Sequence, residues 1–138
     1  MTSLKDIKRV YFLGIGGVGM SSLARYFLSQ NILVGGYDRS QTEITHSLEA
    51  DTCQIIYEDS PSQISSSFLE LKGTLVVYTP AISSHNRLFT YFTDRHFILS
   101  KRAHVLGEIT KDLYCLAVAG THGKTTISSM LAFILHSN

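Results

Sequence analysis

The stretch that most restricts the fold of this chain is RVYFLGIGGVGMSSLARYFL, residues 9–28. Its first part, Arg9–Ile15, is an almost unbroken apolar run, as expected of a parallel strand covered on both faces. Its last part carries Met20, Leu23, Ala24, Phe27 and Leu28 at the spacing of one helical face. Between them lies Gly14-x-Gly16-x-x-Gly19, with Gly17 as a further permissive position. A strand, a glycine turn and a helix in this order place backbone N–H groups and a helix N-terminus at one point. That arrangement suits a phosphate. The motif alone leaves the ligand open between a nicotinamide dinucleotide and another phosphate-bearing molecule.

The same alternation continues along the chain. Strands are expected at Ile32–Tyr37, Cys53–Tyr57, Leu75–Tyr78, Phe97–Leu99 and Tyr114–Ala119. Helices are expected at Thr42–Ala50, with Thr42 as its cap, and at Asn86–Asp94 and Lys101–Lys111. Pro61 suits the first turn of a helix capped by Ser60. Ile127, Met130, Leu131, Ile134 and Leu135 give a last helical stripe. This order predicts an α/β domain with a mostly parallel sheet flanked by helices.

Composition narrows the function classes. The chain has 138 residues and a net charge of +1, without the basic excess of a nucleic-acid-binding domain. No apolar run approaches the about 18 residues that span a bilayer. The N-terminal charges followed by a short apolar run resemble a leader. The glycines break that run, however, and a buried first strand explains it better. Cys53 and Cys115 lack any metal-type spacing and are expected as small core residues in a reducing compartment. His46, His85, His96 and His136 form no ligand set, and the Tyr and Phe residues are expected in the core.

A second glycine motif, AVAGTHGKTTISSM at 117–130, follows an apolar run and opens a helix. Gly120, Thr121, His122, Gly123, Lys124, Thr125 and Thr126 have the logic of a phosphate loop. Lys124 reaches β- and γ-phosphates, and Thr125 offers its hydroxyl to Mg²⁺. The loop is shorter than the usual pattern, with Val118 where a glycine normally stands. No Asp or Glu follows Asp112, although such enzymes need an acid beyond the loop to place Mg²⁺ and water. The chain is therefore expected to be the beginning of a longer enzyme.

The two motifs together resemble the Mur ligases, ATP-dependent amino-acid ligases of peptidoglycan precursor synthesis. GYDRS (36–40), TPAISSHN (79–86), LSKRAHVLGEI (99–109) and AGTHGKTT (119–126) extend the resemblance over nearly the whole chain. It implies a Rossmann-like UDP-sugar-binding domain at 1–106, then the first strand, phosphate loop and helix of an ATPase domain at 107–138. Within the family, GIGGVGMSSLA is most similar to members that join L-alanine to UDP-N-acetylmuramate in the bacterial cytoplasm. The resemblance implies that ATP phosphorylates the lactyl carboxylate, and that the alanine amine attacks the acyl phosphate to give amide, ADP and phosphate.

The residues follow motif by motif. Ile15, Gly16, Gly17, Val18 and Gly19 would hold the pyrophosphate on N–H groups. Asp38, Arg39 and Ser40 would lie near the uridine, and Thr79, Pro80, Ala81 and Asn86 would line the same crevice. Lys124 and His122 would be catalytic, and Thr125 would hold Mg²⁺ through ATP. Asp38 also sits where an acid commonly takes a ribose hydroxyl; the alternative is a loop Asp that caps the next helix.

Two departures stand out. Tyr57 and Glu58 replace a frequent Gly-His, so that Tyr57 is a stacking candidate. Arg102-Ala103-His104 replaces Arg-Ala-Glu, with Arg102 either on an exposed face or at a phosphate. The chain by itself is expected to be inactive. Runners-up are the recycling ligase that attaches a peptide to UDP-N-acetylmuramate, a nicotinamide-dependent dehydrogenase domain and a nucleotide sensor without catalysis.

Overall fold

The structure, a computed structural model, describes residues 4–111 and 113–137. Five strands form one sheet: β1 (Arg9–Leu13), β2 (Leu33–Tyr37), β3 (Gln54–Ile56), β4 (Thr74–Tyr78) and β5 (Ile98–Lys101). They lie in the order β3-β2-β1-β4-β5, every neighbouring pair parallel. The helices are α1 (Val18–Ser29), α2 (Glu43–Ala50), α3 (Arg87–Asp94), α4 (Arg102–Lys111) and α5 (Lys124–His136).

Alternate residues of β1 serve two cores, which is why the strand reads as continuously apolar. Val10 and Phe12 face α1, α2 and α4, where Leu23, Phe27, Leu48 and Val105 are buried. Tyr11 and Leu13 face the other layer, built from Phe68, Leu88, Phe92 and Phe97. β2 places Gly35 and Gly36 in mid-strand. A Cβ on Gly35 would come within 2.6 Å of the Phe68 ring, and one on Gly36 within 2.7 Å of the Phe12 carbonyl oxygen. Both glycines let bulky neighbours close onto the sheet.

Local signals set the remaining elements. Thr42 caps α2 through a reciprocal pair: its Oγ1 accepts from Thr45 N–H at 3.2 Å, and Thr45 Oγ1 accepts from Thr42 N–H at 2.8 Å. The helix expected after Ser60 is a short 3₁₀ turn at Pro61–Gln63, and the Ser60 side chain makes no cap bond to it. A second such turn, Ser66–Phe68, drops Phe68 into the core. α4 continues across residue 106 to Lys111, and Ile109 is buried in the same core as α1.

Two expectations fail beyond α4. No strand forms at Tyr114–Ala119, where Tyr114 is 93% exposed. A strand needs a partner to accept its hydrogen bonds, and among the described residues none pairs with this segment. Cys115 is consequently exposed, whereas Cys53 is buried as expected. α5 forms but buries none of its residues.

Candidate nucleotide-binding site

Leu13 ends β1 beside Tyr37 of β2 and Tyr78 of β4. The chain leaves β1 toward β2 while β4 lies on the other side, so the turn after Leu13 opens at the reversal point of the sheet. Ligands bind in that crevice in open parallel sheets. Gly14 has φ +85°, a left-handed conformation that strains any side chain.

The N–H groups of the turn are not equivalent. Those of Gly14 and Ile15 both donate to the Tyr37 carbonyl, at 2.8 and 3.0 Å. Gly16 N–H donates to Asp38 Oδ2 at 2.8 Å, and Ser40 N–H donates to Asp38 Oδ1 at 3.1 Å. Gly17 N–H reaches the Gly14 carbonyl at 3.4 Å, and Ser21 N–H begins the helical ladder on the Gly17 carbonyl. This leaves Val18, Gly19 and Met20, whose N–H groups have no acceptor among the described residues. Gly17 is the N-cap and has no side-chain oxygen to cover them. Open donors at the positive end of a helix make an anion cradle.

Within the expected cradle, Ile15–Gly19, the structure divides the donors into paired and open ones. Ile15 and Gly16 spend their N–H groups on Tyr37 and Asp38, and the free donors run from Val18 to Met20. Gly16 is glycine for the same reason. A Cβ there would lie 2.9 Å from Asp38 Oδ2 and 3.1 Å from Thr45 Cγ2. Asp38 therefore braces the glycine turn, a role outside both expectations for it.

The other expected residues lie around this edge. Arg39 and Ser40 are exposed just after β2. Tyr57 follows β3, and its hydroxyl donates to Glu49 Oε1 at 2.9 Å. Partial burial and the Glu49 carboxylate push its phenol above the usual range. Glu49 Oε2 lies 3.2 Å from His46 Nδ1. Thr79, Pro80 and Ala81 form the turn after β4, in which Ile82 N–H donates to the Thr79 carbonyl. Asn86 caps α3, its Oδ1 accepting from Phe89 N–H at 2.9 Å. Asp59 closes the same helix end by accepting from Arg87 and Leu88 N–H at 2.8 and 2.9 Å. The α3 N-terminus is thus filled by side chains, while that of α1 is open.

Glycines shape the second loop as well. Gly120 and Gly123 have φ values of +154° and +76°, and Gly123 is the N-cap of α5. Lys124 Nζ donates to the Gly120 carbonyl at 2.7 Å, which folds the ammonium across its own loop. Thr121, His122, Thr125 and Thr126 are exposed. A tethered lysine, glycine-dependent turns and an uncapped helix end are compatible with a nucleotide phosphate, and Thr125 is the residue whose hydroxyl could reach its Mg²⁺. Among the described residues no three His, Cys, Asp or Glu gather as a metal site. No helix there is long and apolar enough to cross a membrane.

Residues 9–114 match the Mur ligase family, catalytic domain. The chain belongs to the Mur ligase family. It is 46% identical over 136 residues to a UDP-N-acetylmuramate–L-alanine ligase of Christiangramia forsetii, covering 98% of this chain and 30% of that protein. It is 49% identical over 135 residues to the enzyme of the same name from Phocaeicola vulgatus, with the same coverage. Among solved structures it is similar to the UDP-N-acetylmuramate–alanine ligase of Thermotoga maritima, with a TM-score of 0.83 and 29% identity, covering 93% of this chain and 29% of that one. It is also similar to the UDP-N-acetylmuramate:L-alanyl-γ-D-glutamyl-meso-diaminopimelate ligase of Neisseria meningitides, with a TM-score of 0.82 and 26% identity, covering 94% and 40%. The chain spans about 30% of the length of the sequence relatives it matches.

Two contacts of this Mur ligase chain escape sequence reasoning. Asp59 caps a helix 28 residues downstream, and no local pattern signals that. Arg102 lies against Gly19, where an added Cβ would sit 2.9 Å from its Nη1. The matching arginine of the family pattern marked the residue, but only the packing of α4 beside α1 gives it a neighbour.

Proposed function

We propose that this chain is the UDP-N-acetylmuramate-binding N-terminal part of a ligase that adds L-alanine to that nucleotide sugar at the expense of ATP. The observation that carries this reading is the 46% and 49% identity, over nearly the whole chain, to relatives that bear that activity in their names. The open α1 N-terminus supports it as the pyrophosphate seat. Asp38, Arg39, Ser40 and Tyr57 flank the uridine side, and Thr79–Ala81 the opposite wall. The proposed division between a UDP-sugar domain at 1–106 and an ATPase beginning at 107 falls inside α4, whose Val105 and Ile109 pack in the same core.

The chemistry follows from the substrates. A carboxylate is a poor electrophile, so its oxygen must first take the γ-phosphoryl group of ATP, releasing ADP. The amine of alanine then attacks the carbonyl, and phosphate leaves. Mg²⁺, when bound, offsets the charge that develops on the phosphates. Lys124 and the N–H groups at the start of α5 hold the ATP phosphates, and His122 faces the junction of the two substrates. A reaction that consumes ATP places the protein in the bacterial cytoplasm.

Titration of the ¹⁵N-labelled chain with UDP-N-acetylmuramate, UDP and NAD tests this reading. The uridine nucleotides are expected to saturate and to shift the Val18, Gly19 and Met20 amides. Saturable binding of NAD without binding of UDP overturns it. Alanine-dependent ATP turnover by these residues alone is expected to be absent, and robust turnover refutes the assignment as an N-terminal part.

A similar structure at TM-score 0.82 is a ligase for a peptide instead of alanine, which favours one second reading, the peptide-recycling ligase. Both readings share this UDP-sugar site, and competition between alanine and the peptide in the enzyme that contains this chain separates them.

A further inference from the structure

We propose that a cavity on the face of the sheet opposite α1 binds a small neutral molecule with an apolar body and one hydroxyl or carbonyl group, and that the Tyr11 hydroxyl is its hydrogen-bonding partner. The site is separate from the glycine turn and independent of the nucleotide reading. Three observations carry it. First, Tyr11 is 1% exposed in the core of the second layer. The rings of Phe68 and Phe92 hold it at 5.3 and 5.1 Å. A phenylalanine would pack there equally well, yet the position carries a hydroxyl, and that hydroxyl has no partner among the described residues. Burying it costs free energy unless something bonds to it. Burial also pushes the phenol above its ordinary range, so at neutral pH the O–H is intact and can both donate and accept.

Second, Tyr11 lines a cavity of about 140 Å³ between β3 and the 3₁₀ turns at 61–68. The register explains the place. Tyr11, Gly35 and Gln54 stand in one row across β1, β2 and β3. Gly35 contributes no side chain, so Tyr11 and Gln54 are the polar side chains of that row. Thr74 Oγ1 is also buried without a partner, but Thr74 is not among the residues around this cavity. A space of about 150 Å³ takes one benzene-sized molecule.

Third, the lining selects the chemistry. Ile56 supplies an apolar wall, while Gln54, Gln63 and Ser65 supply amides and a hydroxyl. Gln54 and Gln63 are exposed and form the mouth. No charged side chain lines the cavity, so an ion would lose its hydration without a counter-charge. A neutral molecule meets no such cost. Its apolar body is matched by Ile56 and its polar group by the Tyr11 hydroxyl.

The test titrates the ¹⁵N-labelled 138-residue chain with phenol and with benzene, in wild type, Tyr11→Phe and Ser65→Leu. Phenol is expected to saturate and to shift the Gln54, Ile56, Gln63 and Ser65 amides, leaving those of Val18–Met20 and of α5 in place. Benzene is expected to bind the same amides about fivefold more weakly, the worth of one neutral hydrogen bond. Tyr11→Phe is expected to bring phenol down to the benzene level, to leave benzene within about twofold, and to cost no stability. Ser65→Leu fills the space and is expected to abolish both, with an unchanged far-ultraviolet spectrum. Phenol that shifts none of the four amides, or shifts α5 alone, overturns the site, as does undiminished binding in Ser65→Leu. Phenol affinity in Tyr11→Phe within twofold of wild type, or benzene equal to phenol in wild type, overturns the role of the hydroxyl.

Discussion

Replacing Gly35 by Ala, in the middle of β2, probes how closely the two sheet faces are packed. Unstrained Gly→Ala changes stabilise by about 0.4–1 kcal/mol by restricting the unfolded chain. Here the new methyl would meet Phe68 Cε2 and Cζ at 2.6 Å and the Gln54 carbonyl oxygen at 3.0 Å. Phe68 has no exposed surface and stacks edge-on against Tyr11 at 5.3 Å, so its ring has nowhere to swing. Overpacking of this kind costs about 1–3 kcal/mol. The net expectation is a loss of about 0.5–2 kcal/mol, or a fall of a few degrees in Tm for a chain of this length. Phe68→Leu shortens the ring side and opens a cavity when made alone. Combined with Gly35→Ala it should recover part of the loss, giving a coupling of about 0.5 kcal/mol or more. Urea denaturation followed by circular dichroism measures all four corners of the cycle. A Gly35→Ala variant as stable as wild type, or strictly additive effects, refutes the claim that Phe68 is what requires glycine at 35.

Tyr11→Phe is expected to be neutral or stabilising by about 1 kcal/mol, because the Tyr11 hydroxyl is buried without a partner among the described residues; a loss above about 1 kcal/mol in the same denaturation assay contradicts this. The two thiols should separate in native labelling at pH 8. Cys115 is exposed and reacts, whereas burial pushes the Cys53 thiol from 9.0 up to about 11 and hides it. Equal rates for both count against the structure. The same shift fixes a sign. The folded thiol holds its proton longer than the unfolded one, so its contribution to stability is complete below pH 9.0 and is lost as pH rises toward about 11. Urea midpoints across that window are expected to fall less in Cys53→Ala than in wild type.

The layout of the sheet and the glycine turn at its reversal point were legible in the sequence because they rest on local signals. A continuous apolar run means a strand covered on both faces, and β1 supplies both cores. Thr42 before Glu43 is a cap by hydroxyl geometry, and the structure adds its reciprocal partner Thr45. Gly14 announces a left-handed turn. Other expectations went astray where local pattern and partner separate. LYCLAV looks like a strand, but a strand forms only against a neighbour, and among the described residues no strand pairs with 114–119. Cys115 follows the segment into solvent.

Sequence by itself determined that two glycine turns each open a helix in an α/β chain of the Mur ligase type, because glycine turn and helix are adjacent residues bound by short-range sterics. Tertiary structure alone decided which N–H groups of GIGGVG remain free and what stands over them. Tyr37, Asp38 and Arg102 are far from the turn in the chain, and only parallel pairing of β2 with β1 and the packing of α4 beside α1 bring them to it. The glycines at 16 and 19, which read alike in the motif, are held open for opposite charges, a carboxylate at one and a guanidinium at the other.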